Sequence, residues 1–427
     1  MDNEVKTWLP ERRENQLAKL IAFLVSPVLG LLTALLHPNT RTSYLVLLLS
    51  FMTIGLTMIV PEERNEEANF DCTTYRDDFE SIATYSSADF NTVLADYSSM
   101  SDAGGTDIYA TILYYAVSRF TDNYHVCFMV IALIFAWFML KSMRYLVAES
   151  DYRLSVLCLL LLFLFTMCQI QNINMFRYFT AYWIALYALF KIILEKDRKY
   201  WLLLAVTPFV HGAFFLIFII YAFYRVIRGH HPFAVTMVII GLLFSSVSVQ
   251  VFSWIILHLP DSLGGHYSEY INEWYLQEIN EGGIGYKWVV RLLELAVRLS
   301  VNAIVLFFAY NYKTHIADTK CNHIYFLLLA LTAFVNFTFM IPDVGSRNVM
   351  FVYPLIAYIW LVCFSGERRW NWIIYSFAGM YLMFFLILPW NIYRIPCFRH
   401  YMALWNMDVV YQSPVYLFVK YIFFPPA

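Results

Sequence analysis

Residues 200–224 read YWLLLAVTPFVHGAFFLIFIIYAFY. The run is long and apolar enough to cross a bilayer, which takes about 20 such residues. Pro208, His211 and Gly212 interrupt it near its middle. Proline removes a backbone donor and glycine loosens the chain, so a straight helix is disfavoured there. The flanks decide the reading. Lys196, Arg198 and Lys199 precede the run, and Arg225 and Arg228 follow it. Short basic loops stay on the inner side of a membrane. Both flanks are inner only if the run enters and returns on one side. The sequence therefore predicts a broken, re-entrant pair turning near 208–212, an irregularity tolerated where backbone lines a cavity.

Working outward, apolar runs at 20–36, 43–60, 124–140, 154–171, 178–194, 232–257, 288–310, 322–340, 348–364 and 370–390 are candidate spans. Lys141, Arg144 and Arg153 mark a further inner loop, as do Lys313 with Lys320 and Arg368 with Arg369. Outer segments are then 61–123, 172–177, 258–287, 341–347 and 390–407. The tail conflicts with this scheme. Lys6, Arg12, Arg13 and Lys19 argue for an inner tail, yet two full early spans would put 61–123 inside as well. Either the tail is outside or one early run does not span. Residues 107–120, short with Tyr, Ile and Leu at helical spacing, and 266–279, where acids alternate with Tyr270, Trp274 and Tyr275, suit helices lying flat at the outer interface.

The expected fold is all-α: one polytopic integral membrane domain over 1–427, with about ten to twelve transmembrane or re-entrant helices. Residues 61–123 and 258–287 form extracytoplasmic loops bearing amphipathic helices. The composition agrees, being 60% hydrophobic and only 14% charged, against about 25% charge in soluble domains. A net charge of -2 makes nucleic acid an unexpected partner. Aromatics reach 19%, which suits interface belts and surfaces on which sugars stack. The seven cysteines show no metal spacing, and no metal or cofactor is expected. Cys72 and Cys397 are the pair that could share an outer compartment. The first apolar run has no small-residue cleavage site and reads as a retained anchor.

The chemistry sits in the charges. Arginine in or beside a bilayer needs water, a counter-charge or an anionic ligand. Arg177 lies in QIQNINMFRY (169–178), with Asn174 close by. Arg347 ends the turn Ile341-Pro-Asp-Val-Gly-Ser-Arg. Arg291, Glu294 and Arg298 share one helical face, so a structural ion network competes with a ligand site there. Arginine presents a permanent planar fork that fits phosphate oxygens. Asp77 and Asp78, in Tyr75-Arg76-Asp77-Asp78, offer carboxylates for general-base work, against a simple solvated loop. Asp107 follows Gly104-Gly105-Thr106 and is a candidate substrate ligand. His211 is a rival base, or a donor to phosphate or sugar. No P-loop, dinucleotide motif, zinc cluster or nucleophile elbow is present, which favours a substrate that arrives already activated.

These elements, in this order, resemble the EpsG family of polysaccharide polymerases, functionally related to the Wzy O-antigen polymerases. The elements are Arg76-Asp77-Asp78, Asp107-Ile-Tyr, Asn174-x-x-Arg177, Phe209-Val-His211-Gly and Gly345-Ser-Arg347, and the likeness covers roughly residues 40–400. The chain departs from the family's Gly-Thr-Asp element early in the loop, so each acid's role is open. Arg291 and Arg298 have no evident family counterpart. The resemblance implies an architecture like that of C-type glycosyltransferases, in the bacterial inner membrane. It implies an enzyme joining undecaprenyl-diphosphate-linked oligosaccharide repeat units on the periplasmic side. Donor and acceptor are both lipid-linked, and membrane lipids, a chain-length regulator and a flippase are implied partners. Arg177 and Arg347 would hold the diphosphate with Arg291 and Arg298 in support, and Asp77, Asp78 or His211 would be catalytic. A ligase-like glycosyltransferase and a flippase or exporter of the same lipid-linked sugars are the alternatives. Two pseudo-symmetric halves, common in transporters, are not evident.

Overall fold

A computed structural model describes residues 8–60, 71–98, 108–148, 173, 175–258, 287–341, 344–377, 379 and 406–425. The described residues are helical, with no strand. Among the described residues two helices are long and apolar enough to cross a membrane, α7 (Tyr124–Ala148) and α8 (Phe176–Leu194), or three if one bent pair counts as a span. That pair is α11 (His231–Leu243) and α12 (Ser248–Ile256), bent by 66°. The candidate span 154–171 and most of 370–390 lie outside the described residues, as does nearly all of 258–287.

The first apolar run is a hairpin, which corrects the expectation of a span at 20–36. Helix α1 (Arg13–Val25) stops at Ser26, and α2 (Pro27–Leu36) starts at the next residue. Proline forces the residue before it out of the helical region, and Ser26 is extended at φ -157°, ψ 134°. Its hydroxyl then accepts the Leu29 N–H at 3.2 Å, capping α2. The two helices fold back on each other. Lys19 Nζ reaches the His37 carbonyl at 3.4 Å and Ser43 Oγ at 2.6 Å, where a straight helix would separate Lys19 from His37 by about 27 Å. Lys19 also pairs with Glu11. Tail and turn thus share one end, where the Leu9 N–H meets the Asn39 carbonyl at 3.0 Å. This removes the conflict over the basic tail.

Helix α3 (Arg41–Leu56) runs back along α7, so close that a Cβ on Gly55 would lie 2.4 Å from Ala132 Cβ. The described part of 61–123 holds three helices: α4 (Asp71–Ala83), α5 (Ser87–Ser98) and α6 (Ile108–Ser118). The last is a helix within 107–120, as the spacing there predicts. Phe90 stacks on Tyr115 at 3.7 Å and Phe79 meets Tyr114 edge-on, which ties the three together.

The run at 200–224 is broken as the sequence predicts. Helix α9 (Tyr200–Val210) contains Pro208, which cannot donate to the Leu204 carbonyl; the Thr207 hydroxyl donates there instead, at 2.8 Å. His211 is extended, a short 3-10 turn follows over Gly212–Phe215, and α10 (Leu216–Ile227) leads away. Trp201 and Tyr221 meet edge-on at 4.8 Å. A continuous helix would set them about 30 Å apart, so α9 and α10 form a hairpin with His211 at its tip.

The remaining helices are α13 (Lys287–Tyr310), α14 (Asn322–Thr338), α15 (Val344–Cys363), α16 (Asp408–Tyr411) and α17 (Pro414–Phe423). Helix α8 is the hub, with Phe176, Trp183 and Phe190 fully buried. Ser142 of α7 donates to the Trp183 carbonyl at 3.2 Å, and Tyr182 donates to the Met350 carbonyl of α15 at 2.9 Å. Near the chain's end, the Ser26 hydroxyl donates to the Val409 carbonyl at 3.0 Å, and Asn123 Nδ2 donates to Tyr421 O at 2.7 Å. The C-terminal helices thereby close over α1, α3 and α7.

Basic residues from distant loops gather at one end. Arg144 lies over the Trp8 ring at 4.0 Å. Lys191 pairs with Glu195 at 2.6 Å, and Tyr145 hydrogen-bonds to Glu195. Lys191 also lies 5.4 Å from the Tyr200 ring. Arg228 and Lys196 both lie within electrostatic reach of His323. His231 stacks on Tyr312 at 4.2 Å, and His315 pairs with Glu367, itself 2.7 Å from Arg369.

Candidate functional site

The opposite end holds the candidate site, because two parallel helices both begin there. Helices α8 and α15 run side by side in register. Tyr182 meets Met350 and Phe190 meets Tyr358, the same sequence offset at each point. Their first turns therefore lie level, and each carries an arginine: Arg177 on α8, Arg347 on α15. Helix N-termini present unpaired N–H groups and a partial positive charge, so the arginines reinforce a field that attracts anions.

Aromatic rings set each arginine. Arg177 Nε donates to the Tyr75 hydroxyl at 3.4 Å, and its guanidinium lies 5.2 Å from that ring's centre. Tyr75 is buried on α4, edge-on to Phe176 at 4.8 Å. Arg347 lies 5.7 Å from the Tyr178 ring, and Tyr178 meets the His211 ring edge-on at 5.3 Å. The hairpin tip, both helix starts and α4 thus converge. The turn before Arg347 depends on Gly345. A Cβ there would lie 2.6 Å from Phe339 Cα and 2.8 Å from the Thr338 carbonyl.

His211 is buried, and its Nδ1 accepts the Ala213 N–H at 3.2 Å. That bond uses the lone pair of the neutral ring and puts the proton on Nε2. In this arrangement His211 has its Nε2–H left to offer as a donor.

The two acids differ. Asp77 is paired with its neighbour Arg76 at 2.9 Å. Asp78 is exposed and lies three residues after Tyr75, on the same helix face. Burial is the chief force holding the Tyr114 phenol well above its usual pKa; Asp78 adds to that effect and Arg177 opposes it. Both charges therefore stand near α6, and Asp78 shares the neighbourhood of Arg177.

Arg298 sits elsewhere. It is buried on α13 and donates to the Asn336 carbonyl at 3.0 Å and the Leu242 carbonyl at 3.3 Å. Leu242 is at the end of α11, where the helix bends and its last carbonyls lose helical partners. The guanidinium also lies 4.2 Å from the Phe339 ring, the residue against which Gly345 packs. Next to it, Asn302 and Asn336 exchange amide hydrogen bonds of 2.6 and 2.9 Å. Arg291 and Glu294 lie on α13, and their side chains are outside the described residues, as are Asp107 and Asn174. Tyr75, Tyr114 and Tyr178 are site walls that the residue patterns did not single out. Among 32 tyrosines, only their adjacency to Arg76 and Arg177 could have marked two of them.

The EpsG family model matches residues 43–401. The chain belongs to the EpsG family. The match runs from α3 to beyond α15 and so includes every element of this site. Membership in the EpsG family, with the apolar helices, makes this a membrane protein of polysaccharide biosynthesis. No curated protein and no solved structure matches the chain.

Proposed function

We propose that this EpsG protein polymerises undecaprenyl-diphosphate-linked oligosaccharide repeat units at the periplasmic face of the bacterial inner membrane. The observation that carries the reading is the pair of level helix starts, each with an arginine, beside a histidine donor. The orientation follows from the opposite end, where the basic loops collect; by the positive-inside rule that end is cytoplasmic. The protein is then multi-pass, with α1–α2 and α9–α10 entering and returning from the cytoplasmic side.

In this reading a donor chain lies with its diphosphate between Arg177 and Arg347. An acceptor sugar hydroxyl attacks the donor's anomeric carbon, a new glycosidic C–O bond forms, and the bond to the diphosphate breaks. Undecaprenyl diphosphate leaves with the electron pair. Its growing negative charge is met by two guanidinium forks and by His211 Nε2–H, all set before the reaction begins. Asp78 takes the hydroxyl proton, while Asp77 is held by Arg76. Arg298 holds the α11 bend and the approach to Arg347, and so positions the clamp without touching the diphosphate. Asp107, Asn174 and Arg291 serve as further substrate ligands. A single displacement of this kind inverts the anomeric carbon.

The test is reconstitution. Purified protein in detergent receives a lipid-diphosphate-linked repeat unit, and glycan length is followed on a gel. Wild type gives a ladder, and Arg177→Ala and Arg347→Ala, folded as judged by thermal unfolding, each lose it by about 10²–10³ in rate. Absence of a ladder, with the same lipid crossing a vesicle membrane instead, would replace the polymerase with a transporter.

A further inference from the structure

At the basic end, two thiols face each other across consecutive helices. Cys321 immediately precedes α14 and is fully buried; Cys363 is the last residue of α15 and is half-buried. One hydroxyl touches the Cys321 backbone and the Cys363 thiol. The Cys321 N–H donates to Thr319 Oγ1 at 3.2 Å, and that oxygen lies 3.7 Å from Cys363 Sγ. The Cys321 thiol is itself a hydrogen-bond partner of Cys363, and the Lys320 ammonium stands within electrostatic reach. A small hydrophobe filling a gap would need neither a second thiol in contact nor the adjacent cation. A cation beside a partly open thiol favours the reactive thiolate, and a second thiol in contact can resolve its oxidised form.

We propose that Cys321 and Cys363 form a reversible dithiol–disulfide site, oxidised by a hydroperoxide, that ties the start of α14 to the end of α15. The Cys363 thiolate attacks the peroxide's terminal oxygen; the O–O bond breaks, an alcohol or water leaves, and Cys363 becomes a sulfenic acid. The Cys321 thiol then attacks the Cys363 sulfur. The S–O bond breaks, an S–S bond forms and water leaves. Two thiols lose two electrons in all, and the peroxide gains them. A reducing thiol reverses the change by exchange. The far ends of α14 and α15 are joined by the turn that presents Arg347, so the disulfide closes the helix pair at both ends. In the orientation proposed above, this site faces the cytoplasm, whose thiol buffers keep it reduced at rest. The thiol chemistry does not depend on that orientation.

The experiment uses the full-length protein in detergent. It is treated with a small excess of hydrogen peroxide, its remaining thiols are alkylated, and it is digested without reductant for mass spectrometry. The expected product is a linked peptide pair containing Cys321 and Cys363, which dithiothreitol abolishes. In Cys321→Ser no link forms and Cys363 climbs to the sulfinic acid. In Cys363→Ser, Cys321 stays a thiol. A wild-type Cys363 that stays a thiol, or that reaches the sulfinic acid with no linked peptide, overturns the proposal. The readout is chemical, so either result leaves the polymerase reading to its own assay.

Discussion

Removal of the Arg298 guanidinium should weaken the fold before it weakens ligand binding. Arg298 donates to two backbone carbonyls, Asn336 O at 3.0 Å and Leu242 O at 3.3 Å. Hydrogen bonds from a charged donor contribute about 1.5–3 kcal/mol each in soluble proteins. Interhelical ones in membranes contribute less, about 0.6–1.7 kcal/mol. Two such bonds, with the stacking on Phe339, give a loss of about 2–4 kcal/mol for Arg298→Ala. Arg298→Met keeps an apolar stem beside Phe339 and loses the donors and the charge, so its cost should be about 1–3 kcal/mol. Arg298→Lys keeps one donor bond and should fall between Met and wild type. The assay is thermal unfolding in detergent, with the glycan ladder run on the same samples. An Arg298→Met protein that unfolds with wild type yet makes no ladder would refute the reasoning, since the guanidinium would then act on the ligand itself.

Gly55→Ala should cost about 1–3 kcal/mol by overpacking, because its Cβ would lie 2.5 Å from the Phe128 carbonyl as well as against Ala132; unfolding in detergent measures this. His211→Asn keeps an acceptor for the Ala213 N–H but loses the Nε2–H donor, so it should unfold like wild type and polymerise slowly. His211→Ala should lose about 1 kcal/mol of stability in addition, as a removed cap does. Glu367 titrates at about 2 instead of its ordinary 4.5, because His315 first, then Trp370 and Arg369, hydrogen-bond to its carboxylate. A depressed folded pKa stabilises above the unfolded value. The stability gap between wild type and Glu367→Gln should therefore be full above about pH 4.5 and close as the pH falls towards 2, read as melting temperature against pH.

Local rules were enough to find most of the apolar helices, the break at Pro208–Gly212 and the arginines in or beside apolar runs. Each follows from a few neighbouring residues: apolar length, a missing N–H, a charge inside a greasy run. The basic loops likewise gave the common end, because counting charges needs no contacts. The hairpin at Ser26–Pro27 was open to the same logic. The serine cap and proline were present, but the apolar run around them is long enough to pass for a span. Helices α4 and α5 went unread because a loop rich in acids has no strong apolar period.

Roles, by contrast, came from partners distant in sequence. Arg177, Arg298 and Arg347 look alike as letters. Packing gives the first and third the level starts of two parallel helices, with Tyr75 and Tyr178 as walls, and gives the second the carbonyls of a bent helix. Asp77 and Asp78 are adjacent, yet one is paired to Arg76 and the other shares a helix face with Tyr75. The Ala213 N–H on Nδ1 leaves His211 its Nε2–H. A side chain's residue type sets which charges and hydrogen bonds it can offer, but the groups that take them up are brought in by the folding of the whole chain.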